Sequence, residues 1–486
     1  MSRASAIILL VFILAASSCS VQRFLPPGER LYKGTSITIQ KNKETAGRAK
    51  SLKKTIGLAA SPKPNKFLLG QPYKVWWWYV LGEPKREKGL KAFLRKTLGE
   101  PPVLSSRVNA TATAQNMESL MENLGYFHTT VQGDTINTGR YFTKAIYTAQ
   151  VQPQYRLGKI EWVEDSSALL QLLKRNSETA GLLKTGNPYR FSDITAERDR
   201  LDLVLKTKGY YYFNPDYLMA YADSTVGDRK VNLILNIKKT IPEVAKHPYR
   251  INDIFVFPRY SLETAKTDTA KVNFDTYDSL KIKTSPTIDN SVFSRMITYR
   301  PGRIYSSRQQ NTTLNRLINL PAFKFVKNRF EPVKDSLRKD KPYLLNAYYY
   351  LTPAKKNSIQ AELDGFTKEN NFLGTQVSLN YKNRNAFKGA EQLGIKVYGA
   401  IETTSGTAVK NNNIRLGTEL TLKVPKYVTP FFRIKESFFY PPNTNFYWGM
   451  SFCEEMYYLQ KIFFVSPRCY VETECATAIH PLAHFH

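Results

Sequence analysis

Glu100–Phe127 reads EPPVLSSRVNATATAQNMESLMENLGYF, and its plan returns at Gly186–Phe213, GNPYRFSDITAERDRLDLVLKTKGYYYF, and at Arg300–Phe325, RPGRIYSSRQQNTTLNRLINLPAFKF. Each copy has a Pro turn, a hydrophobic-Ser step, a polar run, an amphipathic helix and an aromatic strand start. Spacing predicts the helix: Met117, Leu120, Met121 and Leu124 fall at i, i+3, i+4 and i+7. Leu201, Val204 and Leu205, and then Leu314, Leu317 and Ile318, repeat part of that stripe. One face of each helix therefore has to be covered. Gly125 and Gly209 stand just past the last apolar position, where a residue with positive φ ends a helix at little cost. Asn319 would serve in the third copy, although Pro321 makes that ending different.

Two strand-like runs follow each helix: Tyr126–Val131 and Phe142–Val151, Tyr210–Tyr221 and Val231–Ile237, Phe323–Val333 and Leu344–Leu351. A further strand candidate precedes each helical part, at Thr35–Gln40, Leu157–Val163 and Ile251–Phe257. The repeating order of strand, helical region, strand, strand is an α+β unit with one sheet face covered by helices.

This order, with helices ending in Leu-Gly-Tyr-Phe or Lys-Gly-Tyr-Tyr, resembles the POTRA domains of the BamA/TamA outer-membrane assembly family. The resemblance implies POTRA-like units at 33–153, 154–240 and 247–353. The first is oversized. Its extra length, 50–98, is basic and contains Lys74-Val75-Trp76-Trp77-Trp78-Tyr79-Val80. Three adjacent indoles cannot all face one side of a helix or strand, so some must lie at a surface. Trp76, Trp77, Trp78 and Lys74 are therefore candidates for membrane or partner contact, against the plainer reading of internal packing. Basic residues beside aromatics also suit single-stranded nucleic acid, but the N-terminus argues against that partner.

That N-terminus carries Arg3, an apolar run Ala6–Leu14 too short to span a bilayer, then Ala15, Ala16, Ser17, Ser18 and Cys19. It reads as an export signal. The string resembles a bacterial lipobox, which implies a signal peptide at 1–18, acylation of Cys19 and a linker over 19–32. The alternative is an ordinary cleaved signal with an incidental Cys; either places the body outside the cytoplasm.

Composition fits this. The 486 residues predict several domains, and mean composition excludes both a polytopic helical membrane protein and a wholly disordered chain. A β-barrel stays open, because its apolar residues alternate with polar ones. Seventy Lys plus Arg against 40 Asp plus Glu give a net charge of +30, pointing to lipid head groups, acidic envelope partners or solubility alone.

From Asn357 the helical periodicity gives way to alternation: Ile359, Ala361 and Leu363, then Leu373, Thr375, Val377, Leu379 and Tyr381, then Leu393, Ile395, Val397 and Ile401, then Ile414, Leu416, Leu420, Leu422 and Val424. These runs approach the ~9–11 residues of a tilted membrane-crossing strand, although a half-solvated soluble sheet alternates too. Asn383–Gly389 is similar to the turn after the first barrel hairpin of the family, and Leu422–Tyr427 to a strand end carrying a Pro. The resemblance thus covers roughly 19–458 and looks most like the TamA-like lipoproteins of Bacteroidetes. The fold class it implies is α+β POTRA-like repeats followed by an antiparallel transmembrane β-barrel, incomplete at about six strands over 357–458. A barrel of the family has sixteen strands, and its Arg-Gly-aromatic loop motif is absent from this chain. The composition shifts after Leu459, with Cys469, Cys475, His480, His484 and His486. The tail 459–486 reads as a divergent, out-of-frame or truncated end; its Cys and His lack the short clip of usual zinc sites.

Catalysis finds no constellation: His128 and His247 have no obvious nucleophile or base beside them, and no phosphate-cradling or metalloprotease motif occurs. No cofactor, metal or nucleic acid is expected. By resemblance the chain is a non-enzymatic factor at the outer membrane, lipid-anchored at Cys19, with its modules in the periplasm. Its expected partners are unfolded outer-membrane protein substrates, outer-membrane lipid and a TamB-like periplasmic protein. Substrates would pair with exposed module edges, and Ile359, Ala361 and Leu363 would form one side of the barrel seam. The rival readings are a periplasmic adaptor lipoprotein that never forms a pore, and an enzyme acting on cell-wall glycan, for which no carboxylate pair stands out.

Overall fold

The structure is a computed structural model that describes residues 21–40, 46–68, 70–164, 166–261, 273–333, 343–367, 372–404, 412–428, 443–455 and 468–470. Cys19 and the rest of the export signal lie outside the described residues, as do Cys475, His480, His484 and His486.

Three sheets share one wiring. In the first, β1 (Leu31–Ile39) runs parallel to β3 (Phe142–Gln150), and β2 (Thr130–Thr138) runs antiparallel to β3, giving the order β1-β3-β2. The second repeats this with β4 (Arg156–Trp162), β6 (Lys230–Ile237) and β5 (Leu218–Asp223). The third has β7 (Arg250–Phe257) parallel to β11 (Leu344–Pro353) and β10 (Phe323–Pro332) antiparallel to β11. It then adds a hairpin, β8 (Phe274–Tyr277) and β9 (Leu280–Lys283), on the far side of β7. The sequence reading did not anticipate this hairpin, because four-residue strands carry too little periodicity to show.

In chain order the helices are α1 (Ala49–Gly57), α2 (Tyr73–Leu81), α3 (Leu90–Leu98), α4 (Ala110–Asn123), α5 (Ala168–Ala180), α6 (Phe191–Thr207), α7 (Asn290–Met296) and α8 (Ser307–Ile318). Three of these eight helices, α4, α6 and α8, carry the stripes read from the sequence; the other five were not anticipated. In α4, Asn109 caps the start by accepting from Ala112 N–H, satisfying one of the orphan donors of the first turn. Met117 and Met121 are then buried with Leu52, Ile56, Val131 and Tyr147 in the first core. Glu118 accepts from Val131 N–H at 2.7 Å and pins the start of β2 to this helix. Gly133 lets β2 pass close over α4, since a Cβ there would come within 2.6 Å of Ala110 O and 2.7 Å of the Tyr147 ring.

Three local readings are corrected. Tyr126–Val131 is mostly a turn, with β2 starting only at Thr130, because Tyr126 N–H bonds back to Met121 O and closes the helix end. His128 accordingly sits at φ 57 in that turn, not in a strand. Asn319 ends α8 in right-handed geometry at φ −76; with Pro321 two residues on, no left-handed residue is used. Gly125 and Gly209 do take positive φ, 82 and 106.

The last sheet is an antiparallel meander of six strands in sequence order: β12 (Asn357–Thr367), β13 (Phe372–Asn383), β14 (Gln392–Thr404), β15 (Asn412–Val424), β16 (Thr444–Glu455) and β17 (Arg468–Tyr470). Among the described residues the sheet is open, with β12 and β17 at its two ends, and no closed barrel is formed. Over 357–458 the described residues form five strands where the sequence reading counts about six, and a further strand, β17, falls within the tail set apart at 459, where it pairs with Asn445–Tyr447. Its three residues are too few for alternation to register.

By compactness the chain divides into two units, Met1–Leu201 with Pro215–Lys239, and Asp202–Asn214 with Thr240–His486.

Candidate lipid-facing sheet and module edges

Successive side chains of a strand point to opposite faces, so the register of the meander decides what each face carries. Leu363 pairs with Val377, Val377 with Gly399, Gly399 with Leu416, and Leu416 with Phe452. Another row runs Ile359, Tyr381, Ile395, Leu420, Trp448. These rows share one face, and they are exposed: Ile359 is 77% and Leu363 73% accessible, with Val377, Leu379, Val397, Ile401, Ile414, Leu416 and Met450 all exposed as well. The opposite face carries Gln376, Ser378, Asn380, Lys396, Tyr398, Glu402, Arg415 and Glu419. There Ser378 and Glu402 are buried, and Glu402 Oε1 accepts from Arg415 Nη2 at 3.1 Å.

A sheet bathed in water hides its apolar face and solvates its polar one. This sheet does the reverse. A continuous exposed apolar face of this kind exceeds the scattered hydrophobics normal on a soluble surface, and apolar-out, polar-in alternation is the pattern of a membrane-spanning strand set. The strands β12 to β15 are 11, 12, 13 and 13 residues long, at or above the upper end of the ~9–11 a tilted strand needs.

The predicted seam residues Ile359, Ala361 and Leu363 all lie on β12, with exposed side chains on the apolar face. Since β12 pairs only with β13 among the described residues, its other backbone edge is unpaired there.

The three modules also leave strand edges, and these differ in charge. Edge strand β10, FKFVKNRFEP, carries Lys324, Lys327 and Arg329, the device that discourages pairing with another chain. Edge strands β2, TVQGDTINT, and β5, LMAYAD, carry no Lys or Arg, so their main chain is more open to an added strand.

The predicted Trp cluster falls on α2, YKVWWWYVL. Val75 is buried, Trp76 and Trp78 are half-buried, Trp77 is exposed and Lys74 is half-buried. Trp76 packs with Tyr79 and Phe67 against Val21, Leu31 and Val75. Packing and surface exposure therefore divide the three indoles between them, as a helical turn of 100° per residue requires.

His247 stacks on Tyr343 at 4.4 Å, and its Nε2 lies 2.9 Å from Glu243 Oε1. It thus has a carboxylate partner that the sequence reading did not find, because the i, i+4 pair lies in a linker. Glu243, bonded first by Lys246 and then by His247, has its carboxyl pulled down to about 2. The arrangement is an exposed clip. Among the described residues no cluster of His, Cys, Asp and Glu could hold a metal, and no described helix is long and apolar enough to cross a membrane.

No family model and no curated protein matches the chain. Among solved structures it is similar to BamA from Haemophilus ducreyi lacking POTRA domains 1–3, at 14% identity and a TM-score of 0.33, over 62% of this chain and 51% of that one. It is also similar to POTRA3–5 of Haemophilus influenzae BamA, at 14% identity and 0.33, over 68% and 99%. A third similarity is to CdiB from Acinetobacter baumannii, at 11% identity and 0.23, over 63% and 55%. The chain spans about half the length of the first of these.

One feature escaped sequence reasoning. At the first helix end, Tyr155 N–H donates to Gly125 O at 2.8 Å and Tyr189 N–H to Tyr155 O at 2.9 Å. At the second, Tyr249 N–H donates to Gly209 O and Tyr305 N–H to Tyr249 O, both at 2.9 Å. Arg156 and Arg250 then repeat one another, each guanidinium donating to the carbonyl of a loop glycine, Gly186 and Gly302. The available signal was Tyr-Arg-aliphatic at 155–157 and at 249–251. A left-handed glycine is needed at both ends, since a Cβ would meet Tyr189 O at 2.7 Å in one and Ile304 Cγ2 and Pro248 Cβ at 2.9 Å in the other.

Proposed function

We propose that this chain is an outer-membrane assembly or translocation factor of the BamA/TamA type, close to its TamA-like lipoprotein branch. Its POTRA-like modules stand in the periplasm and its last sheet lies in the outer membrane as barrel strands. The observation that carries this reading is the exposed apolar face of β12 to β16 above a polar face on which Glu402 is buried and paired with the half-buried Arg415. An adaptor that stays in water has no use for that face.

The mechanism is geometric. An extended, unfolded outer-membrane protein segment adds to the Lys- and Arg-free edges β2 and β5 through main-chain hydrogen bonds, which leave side-chain identity loosely specified. The unpaired edge of β12, with Ile359, Ala361 and Leu363, then offers the segment a template inside the bilayer, where every amide needs a partner. In this reading Cys19 carries an acyl anchor, a TamB-like protein is the periplasmic partner, and no catalytic residue is involved.

Solubility separates the reading from the adaptor rival. The Cys19→Ala chain is expected to require detergent to stay monodisperse. A monodisperse, detergent-free Cys19→Ala chain that ignores lipid vesicles would overturn the membrane reading. Cells lacking residues 33–153 of this chain are expected to lose outer-membrane proteins, and unchanged levels would refute a substrate role for the first module.

A further inference from the structure

The α2–α3 hairpin is an insertion that the sheet wiring does not need, and α3 has no buried residue at all. The two helices fold back on each other: Glu100 N–H donates to Lys74 O at 3.0 Å, Lys91 Nζ to Glu83 O at 3.2 Å, and the Arg95 guanidinium covers the Trp78 ring at 3.7 Å. What the hairpin leaves outside is large and apolar. Leu90 is 75% and Phe93 63% accessible on α3, and Trp77 and Val80 are exposed on α2. Around these sit cations: residues 73–98 hold Lys74, Lys85, Arg86, Lys88, Lys91, Arg95 and Lys96 against Glu83 and Glu87 alone. Lys85, Arg86 and Lys88 are all exposed in the turn between the helices.

A second observation points the same way. The short helix Val21–Phe24 packs on α2, with Val21 buried against Val75 and Phe24 stacked on Tyr79 at 5.4 Å. Cys19 precedes Val21 by two residues, which reach at most about 7 Å of extended chain.

We infer that the α2–α3 hairpin docks on an anionic lipid surface, with Trp77, Val80, Leu90 and Phe93 entering the head-group region and Lys85, Arg86 and Lys88 meeting lipid phosphates. If Cys19 is acylated as in the proposed function, anchor and hairpin are two membrane signals on one chain, which together hold where a single acyl chain binds reversibly. The hairpin's own affinity does not rest on that acylation.

The test uses the full chain with Trp162→Phe and Trp448→Phe, so that only Trp76, Trp77 and Trp78 fluoresce. It is mixed with vesicles of dibrominated phosphatidylcholine, with or without about one-third phosphatidylglycerol. Salt-sensitive quenching on the anionic vesicles is expected for both the Cys19 and the Cys19→Ala chains. The triple variant K85E/R86E/K88E is expected to shift the docked-to-free ratio by roughly 100-fold or more, with the circular dichroism of the folded chain unchanged. Quenching that is equal on zwitterionic vesicles, or unmoved by the triple variant, would overturn the anionic surface as the occupant. Quenching present only with Cys19 would show that the anchor alone brings the hairpin near lipid, sinking this inference while sparing the acylation reading. A Trp change that follows protein concentration and not lipid would assign the patch to a second copy of the chain, and also overturn it.

Discussion

Replacing Val377 by arginine separates a sheet in lipid from a sheet in water by the sign of its effect. Val377 lies at the middle of β13, which spans 12 residues, and its side chain is 55% accessible on the apolar face. Twelve residues rise about 41 Å along the strand, and a tilt of ~45° projects this to about 29 Å, the thickness of a hydrocarbon core. Val377 therefore sits near the midplane, where an outward arginine costs about 2–4 kcal/mol, or roughly 30- to 800-fold in the folding equilibrium. Its neighbour Gln376 stands at nearly the same depth on the polar face, so Gln376→Arg is expected to cost under about 1 kcal/mol. The assay is urea-dependent folding of each variant in phosphatidylcholine vesicles, read by tryptophan emission and heat-modifiable electrophoretic mobility. In water the arithmetic reverses: an arginine at a half-exposed valine is close to neutral and improves solubility. Equal stability of the two variants, or a Val377→Arg chain that becomes soluble and folded without lipid, would refute the lipid-facing assignment.

Gly125→Ala is expected to lower thermal stability by about 1–3 kcal/mol, since it adds left-handed strain to a clash with Tyr189 O, while Gly139→Ala, at positive φ with open space around it, measures the strain alone. Met117→Ala, at a fully buried site, is expected to cost about 2–5 kcal/mol in denaturant unfolding. The Glu243 carboxyl, ordinarily 4.5, is held at about 2 by Lys246 and His247, so its contribution to stability is present above pH 4.5 and lost as the pH falls through 2. A carboxyl resonance that titrates near 4.5 in the native chain and does not respond to Lys246→Ala would contradict that clip.

Local rules were legible wherever one segment decided its own structure. The stripe of Met117, Leu120 and Met121 specified a helix because positions three and four apart share a face whatever the helix meets. Gly125 and Gly209 marked helix ends because the left-handed region is cheap only for glycine, while Asn319, with Pro321 behind it, ended its helix another way. The alternation of Leu373 to Tyr381 likewise gave β13 and its two unlike faces. The hairpin β8–β9 and the short β17 escaped because four or three residues show no period.

Direction is what alternation lacks. A strand of alternating residues states that its faces differ, and leaves open which one meets solvent; the cross-strand register aligned Leu363, Val377 and Leu416 into a single exposed face and buried Glu402, paired with a half-buried Arg415, behind it. The same holds for Val21 against α2 and for the Tyr155 and Tyr249 bonds to glycines 30 and 40 residues earlier. The sequence by itself determined the three striped helices α4, α6 and α8, the longer strands and their amphipathic faces, since these arise from contacts within a few residues. Only the tertiary structure decided which faces are hidden and which edges stay open, because burial and strand pairing are formed between residues that the chain order keeps far apart.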